Sequence, residues 1–270
     1  MERPDTQVDT PPSQPSWQAL LEAGDSAGAL QRYRQNAEPP EGAVLDALRA
    51  LSDVRYHVRA KGWVKAQRAV MSVETPPPSV SEKVDWTVLV EDLQRLESAS
   101  KRLDQRNPDA ALERLEEVAS PLLRAEVETQ RGTALIFQND LTGAKASFER
   151  ALAHDPKHYR ALTNLGNVAL EENNVDDAIK AYEAALRLDE DFANAHHNLG
   201  VAYRRKGQID RSVRSIRRAQ KTQRRQDAEE ARGTLSGALK GRSVRRWLRY
   251  ALYGVGGALL FWWLRSQGMI

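Results

Sequence analysis

The chain has 270 residues, 41% of them hydrophobic and 29% charged, which is enough apolar material for a helical core. It contains no cysteine, and this excludes disulfide bonds, thiol catalysis and cysteine-ligated zinc. The formal net charge is +3, but the charge is unevenly distributed, because residues 204–270 hold 17 Lys and Arg against 4 Asp and Glu. This basic C-terminal part favours an anionic partner.

Residues 1–16 are polar and contain Pro4, Pro11, Pro12 and Pro15. This segment has no apolar run of the kind that a secretory signal requires. We expect residues 1–16 to form a disordered tail, because the segment lacks apolar residues to bury.

Residues 17–124 show a weak pattern of helical hairpins. Small and apolar residues recur at helical spacing after turn-forming pairs such as Gly24-Asp25, Gly62-Trp63 and Asn107-Pro108. The spacing predicts divergent hairpins at about 17–35, 44–73 and 84–120. The three prolines of residues 76–78 predict a break between the second and third of these hairpins.

A period of 34 residues follows. The positions that keep this step are Gly132, Gly166 and Gly200; Ala144, Ala178 and Ser212; Phe148, Tyr182 and Ile216; and Ala151, Ala185 and Ala219. A period of this length is typical of stacked helical repeats, whose concave surfaces bind other molecules and seldom catalyse reactions. It predicts three repeats at 125–158, 159–192 and 193–226.

These positions resemble the signature of the tetratricopeptide repeat family, most clearly in Leu162-x-x-Leu165-Gly166 followed by Ala178, Tyr182 and Ala185. The third repeat departs from it with His196 and Ser212, and the first with Glu128. The resemblance implies an all-α solenoid of antiparallel helical hairpins that binds a protein or a peptide.

The resemblance also implies that the first helix of each repeat lines a concave groove. The groove positions expected to be exposed are Thr129, Gln130, Thr133, Arg160, Thr163, Asn164, Asn167, Asn194, His197, Asn198, Val201 and Arg205. Asn164 and Asn198 lie 34 residues apart and would stack as amides able to donate to and accept from a peptide backbone. Thr163 stands where the family's carboxylate clamp requires a lysine, and the alternative is that these asparagines are ordinary surface residues.

The C-terminal part is predicted as a basic capping helix or linker at 227–246 and a transmembrane helix at 247–265. Residues 250–264 are uncharged and mostly apolar, and the flanking Arg242, Arg245, Arg246 and Arg249 would contact the membrane surface. The charge difference across the segment predicts that the bulk of the chain is cytoplasmic. The alternatives are a helix packed on the repeats and a helix lying in the membrane interface. The glycines of residues 254–257 would let two such helices pack together, so a homo-oligomer is a further alternative.

A run of basic residues covers the last repeat and the helix that follows it, from Arg204 to Arg225. Next to a membrane segment, anionic lipid headgroups are the favoured partner. The alternative is a soluble regulator that binds nucleic acid through these residues, although the run contains no aromatic residues for base stacking.

No catalytic motif is present, and neither a phosphate-binding loop nor a nucleophile elbow occurs. The pairs His154/His158 and His196/His197 do not have the spacing of a metal site, so solvated or groove histidines are favoured. The sequence therefore predicts a membrane-tethered scaffold or adaptor, with no cofactor, no metal and no enzymatic activity.

Overall fold

The computed structural model describes residues 15–37 and 41–240, and the described chain contains thirteen α-helices and a short 3-10 turn at Pro121–Leu123. The helices are α1 Trp17–Glu22, α2 Ser26–Asn36, α3 Gly42–Arg59, α4 Trp63–Met71, α5 Pro78–Ser81, α6 Trp86–Asp104, α7 Pro108–Glu116, α8 Arg124–Phe137, α9 Leu141–His154, α10 Tyr159–Glu171, α11 Val175–Leu188, α12 Ala193–Arg205 and α13 Ile209–Lys240.

Twelve of these helices pair into six hairpins: α1/α2, α3/α4, α6/α7, α8/α9, α10/α11 and α12/α13. All six close with the same turn. In each, one residue has a positive φ, and the backbone N–H of the next residue donates to a carbonyl five residues earlier, as in Asn174 to Ala169 and Gln208 to Tyr203. The hydrogen-bond pattern is the Schellman motif, which satisfies the last carbonyls of the first helix.

The second helix of four hairpins starts at a side-chain cap. Asp25, Asn107, Asp140 and Asn174 each accept a hydrogen bond from the backbone N–H three residues later. Such a cap satisfies one of the amides that the first helical turn leaves unpaired. The turn and the cap explain why helical hairpins form at both the regular and the irregular parts of the sequence.

A glycine in the first helix and a large side chain in the second pack together within each repeat. A Cβ on Gly132 would lie 2.6 Å from the ring of Phe148, and one on Gly166 would lie 2.5 Å from the ring of Tyr182. Phe148 and Tyr182 are fully buried. The 34-residue step of the sequence therefore corresponds to one packing contact that is repeated along the solenoid.

The N-terminal hairpins and the first repeat share one apolar core, which extends from Leu21 to Ala134. Smaller apolar clusters fill the later repeats, around Phe148 and around Tyr182. The helix α13 is continuous across the expected boundary at residue 226, because the sequence on both sides is rich in helix-forming Gln, Arg, Ala and Glu.

Two predictions fall largely or wholly outside the described residues. They are the disordered tail at 1–16, of which Pro15 and Ser16 are described, and the transmembrane helix at 247–265 with its flanking arginines from Arg242 onward. Within residues 15–37 and 41–240, no helix is both long enough and apolar enough to cross a bilayer.

Candidate functional site

The first helices of the three repeats, α8, α10 and α12, lie side by side. Between α10 and α12 is an open cleft of about 410 Å³. Its apolar wall consists of Ile136, Leu141, Val168, Leu170 and Val201. The residues of α12 that face the cleft, Asn198, Val201 and Arg205, are three or four positions apart, as expected for one face of a helix.

A row of amides runs across this cleft. The side-chain oxygen Oδ1 of Asn167 accepts hydrogen bonds from Asn198 Nδ2 and from the hydroxyl of Tyr182, both at 2.8 Å. Longer contacts of 3.5 Å join Asn167 to Asn164 and Asn164 to Thr133. Burial raises the pKa of Tyr182 well above its ordinary value, so the hydroxyl stays protonated and donates. The two short bonds fix the orientation of the Asn167 amide.

Arg205 lies at the rim of the cleft. Its guanidinium donates to the carbonyl oxygen of Leu170 at 2.7 Å, which ties the end of α12 to the end of α10. Asn194 and His197 are exposed on α12, but they do not line the cleft. Of the expected groove residues, the structure therefore brings Asn167, Asn198, Val201 and Arg205 together.

Three expected groove residues are not exposed. Thr129, Gln130 and Thr163 are buried. Gln130 Nε2 donates to the carbonyl oxygen of Leu96 in α6, because the third hairpin packs over this part of α8. The hydroxyls of the two threonines donate to backbone carbonyls four residues earlier in their own helices. These side chains support the fold and are not available to a partner.

The side chain of Arg160 is engaged in contacts within the fold and is not free to bind a partner. Its guanidinium contacts both carboxylate oxygens of Glu126 at 3.0 and 3.1 Å, and it reaches the carbonyl oxygen of Arg59 in α3 at 3.5 Å. Burial opposes ionisation of Glu126, but the charge of Arg160 and hydrogen bonds from His158 and Gln130 outweigh it and lower the pKa of Glu126 to about 2.

His158 belongs to this buried cluster, contrary to the expectation of a solvated or groove histidine. Its side chain is 1% exposed, with Nε2 at 3.1 Å from Glu126 and Nδ1 accepting from the N–H of Ala161. Glu126 Oε1 also accepts from Gln130 at 2.9 Å. Among the residues that the structure describes, no group of three His, Asp or Glu side chains could hold a metal ion.

A second buried ion pair lies next to the first. Arg59 donates to Asp155 from two nitrogens, one at 2.8 Å, and Arg55 approaches the same carboxylate at 3.3 Å. Burial opposes ionisation of Asp155, but its hydrogen bond and ion pair with Arg59 prevail and lower its pKa. Neither ion pair was predicted from the sequence. Glu126 and Arg160 are 34 positions apart and Arg59 and Asp155 are 96 positions apart, and no local pattern indicates either contact.

The basic run is divided between paired and exposed residues. Arg218 and Arg225 approach Asp191 at 3.7 and 3.3 Å, and the guanidinium of Arg211 lies over the ring of Tyr203 at 5.6 Å. Other members of the run face solvent along α13.

Residues 129–191 and 163–229 match a family model described as tetratricopeptide repeat. A search of the curated proteins finds no match. Among solved structures, the chain is similar to a crystal structure of MamA at 22% identity, over 64% of this chain and 95% of that chain, with a TM-score of 0.41. It is also similar to YrrB, described as a TPR protein with an unusual peptide-binding site, at 15% identity over 74% and 93% of the two chains, with a TM-score of 0.39. The family match and the repeated hairpins together identify residues 129–229 as an array of tetratricopeptide repeats.

Proposed function

We propose that this protein is a scaffold that captures an extended peptide segment of a partner protein in the cleft between α10 and α12. The observation that carries the proposal is the row of amides beside an apolar wall. The two hydrogen bonds to Asn167 hold the row in place before a partner arrives. Pre-organised polar groups lower the entropy cost of binding.

The cleft suits an extended peptide whose backbone N–H groups can donate hydrogen bonds and which carries an apolar side chain. The side-chain nitrogen of Asn198 donates a hydrogen bond to Asn167. The side-chain oxygen of Asn198 can therefore accept a hydrogen bond from a peptide N–H. An apolar side chain of the peptide would be buried against the partly exposed Ile136 and Val201. The polar row would orient the peptide, and the apolar contact would supply most of the affinity.

A display selection tests this function. Random peptides are selected on immobilised full-length protein, and the dissociation constants of the selected peptides are measured by fluorescence anisotropy. We expect the selected peptides to share an apolar residue. We expect Asn198→Ala and Val201→Ala each to weaken binding by about tenfold, since each removes on the order of 1.4 kcal/mol of contact.

The matched control is Arg187→Ala, because Arg187 is exposed on the second helix of the second repeat and does not line the cleft. This variant should bind the selected peptides as the wild type does. If peptides are selected but Asn198→Ala and Val201→Ala bind them unchanged, the cleft is not the binding site.

The proposed scaffold acts at a membrane, to which the apolar segment at 247–265 tethers it with the repeats on the cytoplasmic side. The composition of residues 250–264 and the arginines before them support this part of the proposal. Tethering would raise the effective concentration of partners on the same surface. Flotation of the full-length protein with neutral phosphatidylcholine vesicles tests it, because these vesicles carry no net charge to attract the basic residues.

A further inference from the structure

The helix α13 carries a row of basic side chains on the side opposite its buried face. The row consists of Arg214, Arg217, Lys221 and Arg224. We refer to these four residues as the basic stripe. Their spacing of three or four residues places them within an arc of about 80° on the helix. The buried side chains of α13 in this part of the helix, Ser212, Ala219 and Thr222, lie on the opposite side.

The basic stripe is exposed and its charge is not neutralised. None of the four side chains forms an ion pair or a hydrogen bond with a residue that the structure describes. Arg218 and Arg225 of the same helix differ, because they contact Asp191 and so belong to the internal contacts of the fold. The stripe therefore presents four unpaired positive charges to a partner.

The geometry of the stripe suits a flat surface. Arg214 and Arg224 are ten residues apart on one continuous helix, which corresponds to about 15 Å along its axis. At one edge of the stripe lie Val213, 42% exposed, and Ile209, 57% exposed. Basic side chains flanked by exposed apolar ones are typical of helices that lie on the headgroups of a membrane.

The sequence of α13 does not favour single-stranded nucleic acid as the occupant. The helix contains no Phe, Tyr or Trp, so it offers no ring on which bases could stack. The four charged side chains lie on one face of α13, and the opposite face of this helix packs on α12. An extended planar array of negative charges complements this arrangement.

We propose that the basic stripe of α13 is a docking surface for anionic phospholipid headgroups. This inference rests on the proposed membrane location, which would bring α13 close to the bilayer. It adds an electrostatic contact that depends on lipid composition. Each basic residue close to an anionic surface raises the partition coefficient about fivefold, and salt weakens the effect.

Vesicle flotation of the full-length chain tests the proposal. Val255→Asp together with Leu259→Asp places two charges in the apolar segment and removes its affinity for the bilayer interior. In that background, the stripe variant replaces Arg214, Arg217, Lys221 and Arg224 with Gln. The control variant replaces four exposed basic residues elsewhere, Arg34, Arg68, Lys145 and Arg187, with Gln. Gln has nearly the helix propensity of Arg and Lys, so both variants should keep the wild-type circular dichroism spectrum.

We expect the stripe variant to lose about 600-fold in partition coefficient onto phosphatidylserine-containing vesicles, because each of its four basic residues contributes about fivefold. The control variant should lose less than about threefold, because its residues are spread over α2, α4, α9 and α11 and do not form a stripe. Neither variant should bind neutral vesicles. Equal partitioning of the two variants onto anionic vesicles would overturn the proposal. A stripe variant that loses binding to an RNA oligonucleotide, yet keeps its affinity for anionic vesicles, would also overturn it and assign the stripe to nucleic acid.

The tether is measured separately in the same experiment. The chain with its apolar segment intact should float with neutral vesicles whether or not the stripe is present. If this protein does not float with neutral vesicles, the proposed membrane tether is wrong. A difference between the stripe and control variants on anionic vesicles would still support the proposed docking of the basic stripe on lipid headgroups.

Discussion

The hairpins of residues 17–116 and those of residues 124–240 share one turn but differ in how their two helices pack. In each hairpin of the array, a residue of the first helix packs against the residue 16 positions later in the second helix. In the array these pairs are Gly132/Phe148, Gly166/Tyr182 and Gly200/Ile216. In the N-terminal region the residues at the same spacing are Trp17/Tyr33, whose ring centroids lie 5.3 Å apart, and the buried residues Val54/Val70 and Ala99/Leu115.

The comparison shows that the turn and the packing pair are separate determinants. The Schellman turn recurs in all six hairpins. The residues at these two positions differ between the regions, because Ala99 and Leu115 stand where the array has a glycine and a large side chain, whereas Trp17 and Tyr33 are both aromatic. The same turn therefore accommodates several pairs of side chains, provided that each pair fills the space between its two helices. Only the glycine pairs keep the regular signature that the family model matches, at residues 129–229.

The join between the two regions is where a substitution should have the largest effect. Glu126 of α8 binds Arg160 of α10, which also contacts the backbone of α3. Glu126→Ala would leave Arg160 without its buried partner. We expect the free energy of unfolding, measured by urea denaturation, to fall by about 3–5 kcal/mol. The control Glu149→Ala removes an exposed carboxylate of α9 and should change it by less than about 0.5 kcal/mol.

The pH dependence separates the charge of Glu126 from its volume. The pKa of Glu126 in the folded protein is about 2, below the ordinary value of 4.5. Its ionisation therefore stabilises the fold fully above pH 4.5, and this contribution is lost as the pH falls from 4.5 towards 2. The difference between the wild type and Glu126→Ala should shrink over this window. A difference that stays constant would mean that packing, and not charge, is lost in the variant.

Within the array, Gly166→Ala should have the next largest effect. The added Cβ would lie 2.5 Å from the ring of Tyr182, so one of the two helices must move. Overpacking costs about 1–3 kcal/mol, and the higher helix propensity of Ala offsets up to about 1 kcal/mol. We expect a net loss of about 1–2 kcal/mol in urea denaturation.

Gly42→Ala is the matched control for Gly166→Ala. Gly42 is the first residue of α3, and a Cβ there would have no heavy atom within 4 Å. This substitution should leave the free energy of unfolding unchanged or raise it slightly. Equal effects at both positions would show that the contact between Gly166 and Tyr182 does not limit the packing of the repeat.

The sequence was sufficient for the array because its information is local and periodic. The step of 34 residues predicted an all-α repeat fold, and the family match and the helical hairpins bear this out for the array. The amide spacing of Asn164 and Asn198 predicted a polar row. The structure shows that Asn167, which was also among the expected groove residues, accepts the hydrogen bonds at its centre.

The sequence was not sufficient where distant segments meet. Gln130 was expected to be exposed, but it is buried because the backbone of Leu96 lies against it. Arg160 was expected to face a partner, but Glu126 and the end of α3 occupy it. The burial of Gln130 and the contact of Arg160 with α3 both depend on how the N-terminal hairpins fold back on α8 and α10, and a repeat pattern contains no information about that contact.

The turn itself allows the smallest test of the comparison. The positive-φ position is Asn139, Asn173 and Gly207 in the array, whereas Arg106 occupies it in the third hairpin with a φ of 56°. A left-handed conformation costs an ordinary residue about 1–2 kcal/mol, and glycine avoids this cost. Arg106→Gly also loses the contact of the guanidinium with the Phe137 ring, at 6.0 Å, which is worth about 0.5 kcal/mol. We therefore expect the free energy of unfolding to rise by about 0.5–1 kcal/mol.

Asn139→Gly should produce a smaller gain than Arg106→Gly, because asparagine tolerates the left-handed region better than arginine does. Both variants would be compared by their urea denaturation midpoints. A larger gain at Arg106 would mean that tertiary packing holds the irregular hairpins in a turn that their own residues disfavour. If Arg106→Gly instead lowered the midpoint, the contact with Phe137 would outweigh the backbone strain, and the irregular hairpin would depend on that side chain for its turn.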